Sequence, residues 1–207
     1  MFHKNTILII ILLSLNTCMK QELVAEEKKP DPPREKERGL IHTYYDGNEA
    51  KKIVLLPDYV AEISTERSKF KDLDRTSLSV VEGNRLRIHK VGSAGIRSFL
   101  SRGVLPTSLQ NGKYSPVFSQ TGSDTQLMTL PGTLVVELDR EYSQSELESF
   151  ARTHKMSFQK KIPMPGKNFF VFETEPGFPC LDKANELRGK SGILSASPEW
   201  FQKAFPR

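Results

Sequence analysis

The chain has 207 residues, of which 30 are basic and 25 are acidic, so its formal net charge is +5 at pH 7. This small excess is scattered, without a basic stripe or interleaved aromatic residues, which argues against nucleic-acid binding. Of the two cysteines, Cys18 directly follows the leader described below, and Cys180 is interpreted as a small apolar residue at a helix start. One remaining thiol forms no intramolecular disulfide, so the hydrophobic core must stabilise the fold.

The first residues have the pattern of a signal peptide. Lys4 provides a positive charge, and residues 7–15 form an apolar run that is shorter than the about 20 residues of a membrane-spanning helix. The following sequence, Leu15-Asn-Thr-Cys18, resembles the bacterial lipobox, whose cysteine is acylated and becomes the new N-terminus. We therefore expect residues 1–17 to be a lipoprotein signal peptide and Cys18 to be the lipidation site. An ordinary secretory signal with a chance cysteine is the alternative.

Residues 18–40 are rich in charged residues and proline and contain few apolar side chains. Such a segment cannot bury enough apolar surface to offset the entropy lost on ordering. We predict a disordered charged tether that holds the folded part at a membrane. With the lipid anchor, this places the protein in the bacterial cell envelope, facing the periplasm or the exterior.

Residues 41–130 contain short alternations of apolar and polar residues separated by turn residues. Residues 78–81 and 85–88 flank Glu82-Gly-Asn84, whose spacing and composition predict a β-hairpin. Gly92-Ser-Ala-Gly95 is interpreted as a further turn. These patterns predict a β-rich N-terminal region over residues 41–130.

Residues 131–201 alternate between strand and helix patterns. Four strands are predicted near residues 133–139, 158–162, 169–174 and 193–196. Ser143 followed by Glu146 is typical of a capping box at a helix start, and Leu181, Ala184 and Leu187 share one face of a second helix. The order β-α-β-β-α-β predicts a ferredoxin-like domain, so the expected fold class is α+β. Both helices would cover one face of a four-stranded sheet and leave the other face open.

This order of patterns resembles the N-terminal propeptide of subtilisin-like serine proteases, which is a folding chaperone and inhibitor of the protease that follows it. The segments that carry the resemblance are residues 133–139, 143–155, 168–175, 181–188 and 192–201. Tyr44-Tyr-Asp-Gly47 and residues 114–118 resemble earlier parts of the same precursors. Because no protease sequence follows, we expect a stand-alone propeptide-like domain.

The resemblance implies how the domain would bind a protease. The open sheet face would pack against surface helices of the enzyme, and a C-terminal tail, residues 202–207, would enter its cleft as an added strand. The implied protease-binding residues are Glu199, Trp200, Phe201, Phe205, Pro206 and Arg207. Arg207 would occupy the primary pocket, with Phe205 two subsites back. Each of these residues also has a simpler interpretation. Glu199 would be a solvated acidic residue in a loop, and Trp200 and Phe201 would cover the edge of the core. The tail would then be a frayed end of the chain.

Catalysis by the chain itself is not expected. The histidines of the mature part, His42, His89 and His154, lack the spacing of a metal site, and no Gly-x-Ser-x-Gly elbow or subtilisin catalytic motif is present. No cofactor or metal is therefore expected. The preferred hypothesis is a membrane-tethered inhibitor or folding chaperone of a subtilisin-like protease. A non-inhibitory protein-binding lipoprotein and the orphaned propeptide half of a split or truncated protease are the alternatives.

Overall fold

The computed structural model describes residues 41–47, 49–111 and 113–205. Within these ranges the chain forms two antiparallel sheets and four α-helices, which confirms the predicted α+β class. The predicted signal peptide and tether, with Cys18, lie outside the described residues, as do Pro206 and Arg207.

The elements are numbered in chain order. The strands of the described residues are β1 (Ile41–Asp46), β2 (Glu49–Ile63), β3 (Leu78–Val81), β4 (Leu86–Lys90), β5 (Tyr114–Ser119), β6 (Gln126–Thr129), β7 (Thr133–Leu138), β8 (Ser157–Met164), β9 (Lys167–Glu173), β10 (Ile193–Pro198) and β11 (Phe201–Ala204). The helices are α1 (Phe70–Leu73), α2 (Ala94–Leu100), α3 (Gln144–Thr153) and α4 (Phe178–Leu187), and a 3-10 turn spans Thr107–Leu109.

The first sheet has seven strands and contains the predicted β-rich region. Its order is β11-β6-β5-β2-β4-β3, and β1 also pairs with the long strand β2. The predicted hairpin at residues 78–88 is confirmed, because β3 pairs with β4.

A helix stands where the sequence analysis placed a turn after Gly92. The side chain of Ser93 accepts a hydrogen bond from the amide of Ile96 and so caps the start of α2. Gly92 is required at this point because a Cβ atom there would lie 2.1 Å from the hydroxyl oxygen of Thr76. The short loop is therefore a tightly packed helix start.

The second sheet has the order β10-β7-β9-β8, and all neighbouring strands are antiparallel. Helix α3 connects β7 to β8, and α4 connects β9 to β10, so each element predicted for this region is present. The predicted capping box is confirmed: the Ser143 hydroxyl accepts from the amide of Glu146, and the Glu146 carboxylate accepts from the amide of Ser143.

The largest core cluster joins the two sheets. Leu134 and Phe172 of the second sheet pack in the same cluster as Leu181 of α4 and as Leu55 and Phe118 of the first sheet. The β-rich region and the C-terminal region therefore share one continuous core.

Candidate functional site

One face of the second sheet lies opposite its two helices, and we call it the open face. Side chains alternate between the faces of a strand, and residues opposite each other on paired strands share a face. Leu134, Val136, Phe170 and Phe172 point into the core with α3 and α4. The open face therefore carries the residues between them and their cross-strand partners, namely Val135, Glu137, Lys160, Ile162, Phe169, Val171, Ser195 and Ser197.

The open face combines apolar side chains with one central ion pair. Val135, Ile162 and Phe169 are each only partly buried. The Glu137 carboxylate accepts a hydrogen bond from Nζ of Lys167 at 2.8 Å and lies 3.4 Å from the hydroxyl of Ser195. No helix in the described part of the chain packs on this side of the sheet.

Two large apolar side chains are exposed on the edge strands of the same sheet. Leu194, at a bulge in β10, is 55% exposed, and Met164, at the end of β8, is 48% exposed. Because β10 and β8 are the two outer strands of this sheet, Leu194 and Met164 lie at opposite edges of it.

The structure places Glu199 and Trp200 in the turn between β10 and β11. The Glu199 side chain is exposed, and its amide donates to the carbonyl of Thr133 at 2.8 Å. The Trp200 ring is half-buried, with its centroid 5.0 Å from that of Tyr44 and 5.8 Å from that of Phe118. Trp200 therefore packs on the edge of the shared core, which is one of the two roles that the sequence analysis considered for it.

Phe201 and Phe205 lie against the first sheet instead of in a free tail. Strand β11 pairs with β6 over four residues, from Phe201 to Ala204, and the amide of Phe205 donates to the carbonyl of Thr125 at 2.9 Å. Both phenyl rings pack against a second core cluster that contains Leu127. The expected tail from residue 202 onward thus begins inside a strand, because the outer edge of β6 offers backbone partners and an apolar surface.

A buried polar site in the first sheet was not found from the sequence. Glu62, which is 3% exposed, accepts from the amide of Lys69 at 2.9 Å and lies 3.3 Å from Nε2 of His89 and 3.9 Å from Arg87. Residues 62 and 89 are distant in sequence, and the pairing of β2 with β4 brings them together. The sequence feature that could have indicated this site is a glutamate within the otherwise apolar run Val60-Ala-Glu-Ile63.

Hydrogen bonding determines the direction of the pKa shift of Glu62, and burial determines that of His89. Burial would raise the pKa of the Glu62 carboxyl, but the polar groups of Ser68, Lys69 and His89 outweigh it and hold that pKa below its usual range. Burial lowers the pKa of His89, against the opposing effect of Glu62. At neutral pH an ionised carboxylate therefore faces a neutral imidazole, which carries its proton on Nε2.

A cavity of about 520 Å³ lies beside His89, and we call it the His89 cavity. It is lined by Arg67, Ser68, Lys69, Lys71, Asp72, Ser79, Glu82, Arg87 and His89. Three of the lining residues, Ser68, Ser79 and His89, each have a buried polar atom with no hydrogen-bond partner within the described ranges, and each of these atoms exposes less than 1 Å².

A comparison of the chain with protein-family models, curated proteins and solved structures finds no match. In the part of the chain that the structure describes, no helix combines the length and apolar character needed to cross a membrane. The same residues contain no group of three or more His, Cys, Asp or Glu side chains placed to hold a metal ion. The function is therefore inferred from geometry and chemistry.

Proposed function

We propose that the protein is a propeptide-like inhibitor or folding chaperone of a subtilisin-like serine protease, tethered to a membrane through Cys18. The open face is the observation that carries this proposal. The strand order β10-β7-β9-β8, with α3 and α4 on one side, supports a ferredoxin-like assignment for the second sheet. That arrangement is also the one that the resemblance to subtilisin propeptides implies.

The chemistry of the open face supports binding to a protein surface. Burial of apolar area stabilises a complex by about 25 cal/mol per Å² before the costs of association, and Phe169 and Ile162 have such area to bury. The Glu137–Lys167 pair adds a polar element, as is usual in interfaces between proteins that also exist apart. A face of this composition suits a partner that folds separately and then docks.

Chaperone activity and inhibition make different demands on the chain. Docking through the open face requires no rearrangement of β11. Insertion of the tail into a protease cleft requires β11 to leave β6, which breaks four residue pairs and uncovers Leu127. The pairing of β11 with β6 therefore weighs against inhibition by the tail, and it is compatible with a folding chaperone and with the second candidate, a protein-binding lipoprotein that does not inhibit.

The open face is tested by binding to subtilisin-like proteases whose catalytic serine is replaced by alanine. We expect Phe169→Asp to weaken binding at least tenfold, because a carboxylate would be buried at the contact. Phe99→Asp on α2 is the matched control, since Phe99 is an exposed phenylalanine outside the open face. Equal affinity of the Phe169 variant and the unmodified chain would remove the open face from the mechanism.

The role of the tail is tested with a reversible staple between β11 and β6. Ala204 and Gln126 are direct partners in the strand pair, so cysteines at both positions lie at about the separation that a disulfide bridges. If the tail inhibits, the oxidised staple abolishes inhibition and a reductant restores it, while binding through the open face persists. Ala204→Cys alone is the control. Binding without inhibition in every form supports the non-inhibitory lipoprotein.

A further inference from the structure

We propose that residues 65–73, which we call the α1 flap, open in mild acid, because protonation of the buried His89 releases Phe70 from the first sheet. The flap involves neither the open face nor the tail, so its behaviour is independent of the proposed protease-related function. Opening would leave an apolar site where Phe70 had been, lined by other members of its core cluster, among them Val60, Leu100 and Leu109.

The α1 flap is attached to the first sheet mainly through one side chain and one backbone amide. Phe70 is the buried residue of the flap and is 0% exposed, whereas its other residues are exposed or half-buried. The amide of Lys69 donates to Oε1 of Glu62 at 2.9 Å. An ion pair between Glu66 and Lys113, at 3.5 Å, is exposed to solvent and adds little. The flap can therefore open without unpairing a strand.

His89 contacts both attachments of the flap. Its ring stacks on that of Phe70, with the ring centroids 4.9 Å apart and an interplanar angle of 25°. Its Nε2 lies 3.3 Å from Oε2 of Glu62, the carboxylate whose other oxygen accepts from the Lys69 amide. A change of charge on this one imidazole therefore acts on the buried side chain and on the backbone attachment together.

Charged and titratable groups surround His89 on several elements. They are Glu62 of β2, Arg87 of β4, Lys71 of α1 and Tyr114 of β5, while Arg67, Lys69, Asp72 and Glu82 line the adjoining His89 cavity. The neighbouring residue of β3, Ser79, carries no charge. Glu62 favours an imidazolium, and Arg87 and Lys71 oppose it. Tyr114 stays neutral, because burial raises its pKa to about 12.

The closed flap disfavours the protonated form of His89. The side chain is 1% exposed, and protonation would add an N–H at Nδ1, which has no hydrogen-bond acceptor within the described ranges. Burial is the largest influence and holds the pKa of His89 below its ordinary value, against the effect of Glu62. In the open form the ring meets water, and its pKa returns to about 6.5. The stability of the closed form is therefore complete above about pH 6.5 and is lost as the pH falls toward the lower, closed-state pKa.

Hydrogen exchange of the full chain, followed by NMR between pH 7 and pH 5, measures this opening. The amides of Lys69, Asp72 and Asp74 are hydrogen-bonded in the closed flap. After correction for intrinsic exchange rates, we expect their protection factors to fall roughly tenfold between pH 7 and pH 5.5, while those of β7 and β9 stay constant. Glu62 contributes little in this range, since a solvated glutamate has a pKa of about 4.3. Constant protection of the three flap amides would overturn the acid-sensitive opening.

Two glutamine variants assign the effect to one histidine. His89→Gln removes the titrating group and retains a donor toward Glu62, so the flap amides should have equal protection at pH 7 and pH 5.5. His154→Gln is the matched control, because His154 is a half-buried histidine of the second sheet region whose pKa is also lowered by burial. This control should keep the tenfold change. A tenfold change that persists in the His89 variant would overturn the role of His89.

A direct titration keeps the test decisive if the His89 variant does not fold. The imidazole resonances of the unmodified chain report the midpoint of each histidine by NMR, and that of His89 should lie below about 6.5. A midpoint at or above this value would overturn the mechanism, because the closed form would then bind the proton at least as well as the open form.

Discussion

The buried Asp74 carboxylate connects two loops of the first sheet by hydrogen bonds, and its replacement tests how much these bonds stabilise the fold. The side chain is 3% exposed and accepts four hydrogen bonds. Oδ1 accepts from the amide of Thr76 at 3.1 Å and from its hydroxyl at 2.8 Å, and Oδ2 accepts from the amides of Gly92 and Ser93 at 2.8 and 3.0 Å. One carboxylate therefore joins the chain after α1 to the start of α2.

We predict that Asp74→Asn lowers the free energy of unfolding by about 3 kcal/mol. Asparagine has one acceptor oxygen, so its NH₂ group must face one of the two pairs of donors. If the NH₂ group faces the amides of Gly92 and Ser93, two hydrogen bonds to a charged acceptor are lost, at about 1.5 kcal/mol each. If it faces Thr76, whose hydroxyl can turn to accept, the hydrogen bond from the Thr76 amide is lost and the other bonds lose their charged acceptor, with a similar total cost. Urea denaturation followed by circular dichroism at pH 7 measures the difference. Asp72→Asn is the matched control, because Asp72 is exposed and accepts no hydrogen bond in the described ranges.

The pH dependence of this difference has a defined sign. Burial would raise the pKa of Asp74, but its hydrogen bonds to Ser93, Thr76 and Gly92 outweigh burial, and the pKa lies below its ordinary value. A lowered pKa in the folded state gives stability that is complete above the unfolded pKa of about 3.9 and is lost as pH falls through the folded pKa. The effect of Asp74→Asn should therefore be constant from pH 6 to 8 and shrink below about pH 4. A loss under 0.5 kcal/mol, or one that persists undiminished in acid, would refute this reasoning.

Two further predictions concern the second sheet. Ser143→Ala should lower the free energy of unfolding, measured in urea, by about 1 kcal/mol, because it removes the side chain that caps α3. Ser149→Ala, at an exposed position within α3, is the control and should leave that free energy unchanged. Equal losses in the two variants would contradict the capping role. Cys180 is buried, and burial raises its pKa to about 12. In a chain that lacks residues 1–18, and therefore the other cysteine, Cys180 should react with Ellman's reagent at pH 8 only after the protein is unfolded in urea. A rapid reaction of the native chain would show that Cys180 is accessible.

The second sheet was largely predictable because its signals are local. The capping box at Ser143 and Glu146 marks the start of α3, and the spacing of Leu181, Ala184 and Leu187 marks the buried face of α4. Strand limits were less accurate: β8 was predicted at residues 158–162 and spans Ser157–Met164. Its additional residues continue the pairing with β9, which depends on a neighbouring strand and not on the β8 sequence alone.

The features that were missed depend on distant contacts. Helix α2 has a serine cap but no acidic residue in its first turn, and its glycines are typical of a turn. Strand β11 forms because β6, about 75 residues earlier, offers an open edge. The Glu62–His89 pair likewise needs the register of β2 against β4. Each of these depends on sheet pairing, which residue patterns within a short window do not determine.

Trp200 limits what the tail can do in the proposed inhibition. Its contacts with Tyr44 and Phe118 fix the chain at the edge of the shared core, so release of β11 would free only the residues that follow. Residues 201–207, fully extended at about 3.3 Å each, reach roughly 23 Å from that point. A protease held on the open face must therefore present its cleft within this distance of Trp200. Its cleft must also replace both the four backbone pairs with β6 and the apolar contacts of Phe201 and Phe205. An enzyme whose subsites accept phenylalanine meets the second condition, because the rings then exchange one apolar site for another.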